Sequence, residues 1–135
     1  MDFAFTQRAL DWQARLQIFM DEAVYPAEKV YGEQMAAVGH DPSFTPPIID
    51  ELKADARRRA LWNMFLPDPR WGAGLSVLEY APLAEITGRS PWIAPEATNC
   101  AAPDTGNMEI LAEFGTEEQQ QEWLVPLLEG EIRSA

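Results

Sequence analysis

Residues 114–135 read FGTEEQQQEWLVPLLEGEIRSA, and the way they read decides the fold. Thr116-Glu117-Glu118-Gln119 is a capping box, in which the threonine hydroxyl and the glutamine side-chain oxygen each accept from an N–H that a new helix leaves without a partner. Trp123, Leu124, Leu127 and Leu128 follow at core spacing, so one face of this helix is predicted to be buried. Pro126 predicts a kink, because proline has no N–H and crowds the preceding turn. Beyond Gly130, Glu131-Ile132-Arg133-Ser134-Ala135 alternates polar and apolar residues over a length too short for an independent element, and is read as the stub of a strand.

Working backwards, Asp104 is the next candidate cap. The segment it opens carries Met108, Ile110, Leu111 and Phe114, and Gly115 is expected to close it in the left-handed conformation. Ser90-Pro91 suggests another start, with the regular part beginning at Pro95 and running to about Cys100. Ser76-Val77-Leu78-Glu79 is a second capping box, whose helix should end at Gly88. Leu66 to Leu75 contains Pro67, Pro69, Gly72 and Gly74, cannot sustain a helix, and predicts a structured loop.

Thr45 before Pro46-Pro47 predicts a helix start, since a first-turn proline gives up only an N–H that would be unpaired anyway, and that helix is expected to reach about Asn63. From Thr6 to Val24, Trp12, Leu16, Phe19, Met20, Ala23 and Val24 fall at helical spacing, with Gln7, Arg8, Gln13 and Gln17 mostly between them. Thr6 is the expected cap of this amphipathic helix. Pro26 ends it or restarts it, a second helix runs to about Val38 before Gly39, and His40 to Thr45 reads as loop. With no useful alternating pattern upstream of residue 131 and no internal repeat, the fold class is all-α.

The chain has 135 residues, 47% of them hydrophobic, and its five Trp, six Phe and three Tyr suffice to fill the core of one domain. Ten Lys plus Arg against 22 Asp plus Glu give a net charge of -12, which repels phosphate backbones and anionic lipid headgroups. The expected partners therefore include no nucleic acid and no membrane. Arg57-Arg58-Arg59 is a local exception, either a solvated helix face paired with acidic neighbours or a site for an anionic ligand. The single cysteine, Cys100, excludes an internal disulfide and a zinc site built from several thiolates, so a reducing compartment is expected. No apolar run approaches the roughly 20 residues of a membrane span, and Met1-Asp2-Phe3 has no basic leader character, so the expected location is cytoplasmic.

Groups able to run a reaction are few. His40 is the only histidine and lies in a Gly- and Pro-flanked loop, so it is expected to be an ordinary loop residue rather than a general base. Cys100 has no cationic neighbour in sequence to lower its pKa and is read as buried or pocket-lining. Gly72-Ala73-Gly74 lacks the preceding strand and third glycine of a dinucleotide fingerprint, and no lysine follows. Glu117 and Glu118 sit where negative charge favours a helix N-terminus, and Glu109, Glu113 and Glu122 decorate polar faces. No catalytic residue, no metal ligand and no cofactor-binding residue is expected in this chain.

The stretch from Gly106-Asn107-Met108-Glu109 through Gly130-Glu131-Ile132-Arg133-Ser134-Ala135, with residues 114–135 as its core, resembles the end of the N-terminal helical domain of flavin-dependent acyl-CoA dehydrogenases. The longer run from Trp62 through LEYAPLAEITGRSPWIAPEATNCAAPDTGNME (78–109) resembles the subgroup of acyl-CoA dehydrogenase family members ten and eleven and their bacterial relatives. Taken as a whole, the resemblance spans nearly the whole chain, most weakly before Pro46.

The resemblance implies an orthogonal or up-down bundle of about six helices over residues 1–130, with residues 131–135 starting a connection to a β-barrel that opens with a Thr-Glu flavin loop, then a C-terminal four-helix bundle. In such enzymes a glutamate takes the α-proton of an acyl thioester while hydride leaves the β-carbon for FAD, and both the base and most flavin contacts lie in those further domains. FAD is thus implied for the complete enzyme and none for this chain alone, which is expected to be inactive by itself. By residue-level matching, Asn99, Ala102, Pro103 and Gly106 share helical spacing and are the expected substrate-binding residues; the same small residues also suit a turn between two helices. The loop of Trp71, Gly72 and Gly74 lies where related proteins carry a glycine-rich segment near the substrate entrance, or is a packed turn with Trp71 as a lid over the core. The implied partners are acyl-CoA, the further domains or a complementary subunit, and a second copy through self-association. The competing expectation is a free-standing helical protein-interaction domain derived from this scaffold.

Overall fold

Thr6 opens the first helix as expected: its Oγ1 accepts from the Ala9 N–H at 3.1 Å, capping α1 (Gln7–Phe19). The computed structural model describes residues 4–135, so Met1-Asp2-Phe3, read above for leader character, lies outside the described residues. Pro26 does not end the helix. α1 passes through a π-helical turn (Met20–Val24) straight into α2 (Tyr25–Ala37), and the Tyr25 N–H reaches the Met20 carbonyl five residues back. Because proline has no N–H and its ring crowds the carbonyl four residues earlier, a wider turn just upstream lets the helix pass it. Pro126 is handled alike. The expected kink takes the form of a second π turn (Gln120–Leu124) between α7 (Glu117–Gln119) and α8 (Val125–Leu128), with the Val125 N–H on the Gln120 carbonyl.

The remaining helices are α3 (Pro47–Arg58), α4 (Val77–Thr87), α5 (Ala94–Ala97) and α6 (Asp104–Phe114). Counting each π-linked run once, the described residues form six continuous helices. Both capping boxes are present, Ser76 with Glu79 at the start of α4 and Thr116 with Gln119 at the start of α7. α4 ends at Gly88 as expected.

Four helices end in one motif. After α2, α3, α5 and α8 the chain turns left-handed at Gly39 (φ 65°), Ala60 (55°), Asn99 (54°) and Gly130 (67°). Each of these N–H groups bonds three residues back and the following N–H bonds five residues back, which satisfies the last free carbonyls. This motif corrects the expected end of α3. The helix stops at Arg58, not Asn63, because Leu61 is fully buried and the left-handed Ala60 swings it back onto the core. Its start falls where expected, with Pro46 at the N-cap position and no side-chain cap. Gly115 is a second correction: its φ of -69° is extended, not left-handed. Glycine is needed there for space, since a Cβ would stand 2.5 Å from the Leu111 carbonyl oxygen.

Two apolar cores result. Leu16, Phe19, Met20, Ile49, Leu61 and Leu83 belong to a main core built from α1 to α5. Phe65, Leu66, Met108, Leu124, Leu127 and Leu128 form a second under the last two helices. Tyr80 and Cys100 pack against both. No strand forms among the described residues; residues 131–135, too short to pair alone, lie along the second core through Ile132.

Candidate functional site

Asn99, Ala102, Pro103 and Gly106 fall between α5 and α6, where the chain is a turn from 98 to 103 and helical only from Asp104. They therefore do not share one helical face. Asn99 faces inward and is 8% exposed. Its Nδ2 donates to Asn63 Oδ1 at 2.7 Å and to the Leu127 and Leu128 carbonyls at 3.0 and 3.3 Å. Asn63 is left-handed too (φ 51°), takes its N–H to the Thr98 carbonyl, and donates from Nδ2 to the Leu128 carbonyl at 3.0 Å. Trp62 Nε1 reaches the same carbonyl at 2.7 Å. The free carbonyls at the end of α8 are thus met by two buried carboxamides and an indole, which joins three segments distant in sequence.

The other three expected residues lie at the surface. Ala102 joins Pro103 through a cis peptide, and Pro103 precedes α6 without a side-chain cap. Gly106 is exposed in the first turn of α6, and a Cβ built there meets nothing within 4 Å. Ala102 also lines a groove of about 520 Å³ together with Tyr31, Phe44, Ile49, Trp92, Cys100 and Arg133. The Cys100 thiol lies on the Thr98 carbonyl at 3.3 Å, and burial pushes its pKa up, which keeps it a thiol rather than a nucleophile. Cys100 is thus both half-buried and groove-lining.

Sequence reasoning missed two residues here. Asn63 carried no signal, because a polar residue in an apolar run is equally compatible with a helix surface. Asp104 was read as a helix cap, yet its carboxylate accepts from the Ser134 N–H and hydroxyl, both at 2.7 Å, and from Arg133 Nε at 2.6 Å. Burial raises its pKa, and the Ser134 bonds and Arg133 charge outweigh that, holding it below the usual aspartate range.

The arginine triplet is paired with acids. Arg57 lies 3.8 Å over the Trp62 ring and reaches Glu129, Arg58 pairs with Asp55, and Arg59 pairs with Asp55 and Glu22. His40 is exposed just after the closing glycine of α2. Among the described residues no group of His, Cys, Asp and Glu could hold a metal ion, and no helix is long and apolar enough to cross a membrane.

The family described as "Acyl-CoA dehydrogenase, N-terminal domain" matches residues 6–131. The chain belongs to the acyl-CoA dehydrogenase family. It is 57% identical over its whole length to a Mycobacterium tuberculosis protein named as an acyl-CoA dehydrogenase, FadE2, and covers 32% of that protein. It is 52% identical to mouse acyl-CoA dehydrogenase family member 10 over 86% of this chain and 11% of the relative. A solved structure from Mycobacterium abscessus, described as an acyl-CoA dehydrogenase, superposes with a TM-score of 0.87 at 48% identity, covering 98% of this chain and 34% of the other. The chain therefore spans about a third or less of the length of these relatives.

The loop of Gly72 and Gly74 does not fit a flavin diphosphate cradle. The N–H groups of Gly72, Ala73 and Gly74 are bonded to the Asp68, Asn63 and Leu66 carbonyls, and Arg8 covers the Ala73 and Gly74 carbonyls at 3.0 and 3.1 Å. A Cβ at Gly72 would stand 2.5 Å from the Leu66 carbonyl oxygen. Trp71 is half-buried against the second core, so the loop is a packed turn with the indole over apolar neighbours.

Proposed function

We propose that this chain forms the N-terminal helical domain of an FAD-dependent acyl-CoA dehydrogenase, an oxidoreductase that introduces a Cα–Cβ double bond into an acyl-CoA thioester. Ala102, Pro103 and Gly106 supply one wall of the acyl pocket, and Asn99 holds the turn that carries them from the rear. The observation that carries this reading is the match of residues 6–131 to the family's N-terminal domain. Gly106 supports the wall. A helical glycine costs up to about 1 kcal/mol relative to alanine, and here neither backbone conformation nor a neighbour requires it, so room for a ligand accounts for it.

The α-proton base and the FAD contacts come from other domains or a complementary subunit, with residues 131–135 leading toward them. The chain alone binds no flavin and does not turn over. Its one cysteine suits a reducing, cytoplasmic setting. Ile110, Phe114 and Trp123, 58%, 74% and 50% exposed, offer an apolar surface for those domains or for self-association.

The test is a chimera in which this chain replaces the corresponding third of FadE2, assayed with acyl-CoA substrates of increasing length. The expected result is a flavin-bearing enzyme, in which Gly106→Leu lowers kcat/KM most for the longest chains. A folded chimera with neither flavin nor turnover would overturn the reading, as would dehydrogenation by the isolated chain supplied with FAD. The former outcome would favour a free-standing interaction domain, for which the exposure of Val77 (77%) and Leu78 (84%) on α4 is the supporting observation.

A further inference from the structure

Residues 132–134 are each anchored, Ile132 on the second core and Arg133 and Ser134 on one shared aspartate. Ile132 packs against the second core. Arg133 reaches Asp104 Oδ2 through Nε at 2.6 Å and Glu96 through Nη1 at 2.7 Å, and Glu96 in turn takes Lys53 Nζ at 2.6 Å. Ser134 gives its N–H and its hydroxyl to Asp104 Oδ1, and its Oγ accepts from Asn107 Nδ2 at 2.8 Å. α5 and α6 thus converge on three consecutive residues outside any helix, and α3 joins the network through Glu96.

Asp104 is the centre of this arrangement. It is 4% exposed, and three donors converge on its two oxygens, a degree of satisfaction that a buried carboxylate requires. Asp104 and Asn107 are three residues apart on α6 and so face the same way. Gly106 is two residues from Asp104, which turns it about 200° around the helix axis, to the other side. The first turn of α6 is therefore gripped on one side and open on the other. It has little else to hold it: Pro103 makes no side-chain cap, and the Thr105 and Asn107 N–H bonds are long at 3.2 and 3.4 Å.

We propose that Asp104 is a positioning residue: it clamps residues 132–134 to the first turn of α6 and so fixes, from the rear, the turn that presents Pro103 and Gly106. The inference rests on the acyl-wall reading only for what that turn presents; the clamp itself rests on the contacts above. It makes the wall and the segment leading out of the domain one mechanical unit. A displacement of either moves the other.

Amide exchange read residue by residue on the 135-residue chain tests this. Asp104→Asn keeps the shape and removes the charge. The expected result is at least about a tenfold loss of protection at Ser134, Asn107 and Met108, since hydrogen bonds to charged groups are the stronger kind, with no change at Leu52 and Ala56 in α3. A uniform loss across all five residues would mean general destabilisation and would overturn the positioning role. Unchanged protection at Ser134 overturns the clamp. Loss at Ser134 alone, with Asn107 and Met108 as in wild type, reduces Asp104 to a tether and overturns the positioning role too. Should Asp104→Asn not fold, the double variant Arg133→Gln, Ser134→Ala loosens the same grip from outside the helices. It must then deprotect Asn107 and Met108, and wild-type protection there overturns the proposal. These rates are independent of acyl-CoA, so an inactive FadE2 chimera with an intact clamp, or the reverse, separates failure of one reading from failure of the other.

Discussion

The carboxamides of Asn63 and Asn99 meet at 2.7 Å while both backbones are left-handed, and together they close the end of α8. Replacing Asn99 with alanine leaves buried carbonyls with fewer donors and puts a Cβ residue without a local hydrogen bond into the left-handed region. The expected cost is about 2–4 kcal/mol, read from denaturant unfolding. Asn99→Gly restores the backbone freedom and should recover part of it. Trp62→Phe should cost only about 1 kcal/mol, because the Leu128 carbonyl keeps both asparagine donors. A Trp62→Phe loss equal to that of Asn99→Ala would contradict this ranking.

Two glycines should respond in opposite directions. Gly72→Ala forces a Cβ against backbone at 2.5 Å and is expected to destabilise by about 1–3 kcal/mol. Gly106→Ala meets open space on a helix and should stabilise the isolated chain by up to about 1 kcal/mol. Thermal unfolding of both variants checks the signs, and a destabilising Gly106→Ala would show a neighbour that the open Cβ position denies.

Acid should release the terminal segment. Burial raises the Asp104 pKa, but the Ser134 hydroxyl and N–H and the Arg133 charge lower it further, leaving a net depression. A depressed carboxylate contributes stability that is complete above its unfolded value near 3.9 and disappears as pH falls through the lower folded value. Arg133 stays charged throughout. NMR shifts of Ile132 and Ser134 should therefore hold steady down to roughly pH 4 and move only below it, with no such step in Asp104→Asn. A midpoint above the ordinary aspartate value would contradict the assignment.

Phe114→Ser with Ile110→Ser should change stability by no more than about 0.5 kcal/mol, as both side chains are more than half exposed. The same pair should reduce self-association in light scattering. Unchanged association would remove this surface from the candidates.

Where local chemistry acts alone, the sequence was sufficient. Thr6, Ser76 with Glu79, and Thr116 with Gln119 cap their helices because a side chain reaches an N–H three residues away, whatever the rest of the chain does. Gly39 and Gly88 were legible for a similar reason. The errors arise where tertiary contact decides. Nothing local distinguishes Ala60 from a helical alanine; the burial of Leu61 turns it left-handed. Asn99 looked like a wall residue because spacing was counted as if helical, whereas its partners, Asn63 and the end of α8, come from 36 and 28 residues away. Asp104 carried a correct local signal, an acid at a helix start, but Arg133 and Ser134 claim its oxygens. Family resemblance pointed to residues 99–106 as a segment and could not orient them.

Each π turn holds one residue more than an α-helical path needs. A deletion inside α1 would rotate one part of the helix against the other by about 100° and take Leu16 or Phe19 off the core. A deletion within Met20–Val24 or Gln120–Leu124 would instead restore a plain helix with both flanking faces where they are, provided Pro26 or Pro126 is lost with it. Length differences among relatives in these two helices should therefore fall within the π turns just before the prolines, and sequences without the proline should be one residue shorter there.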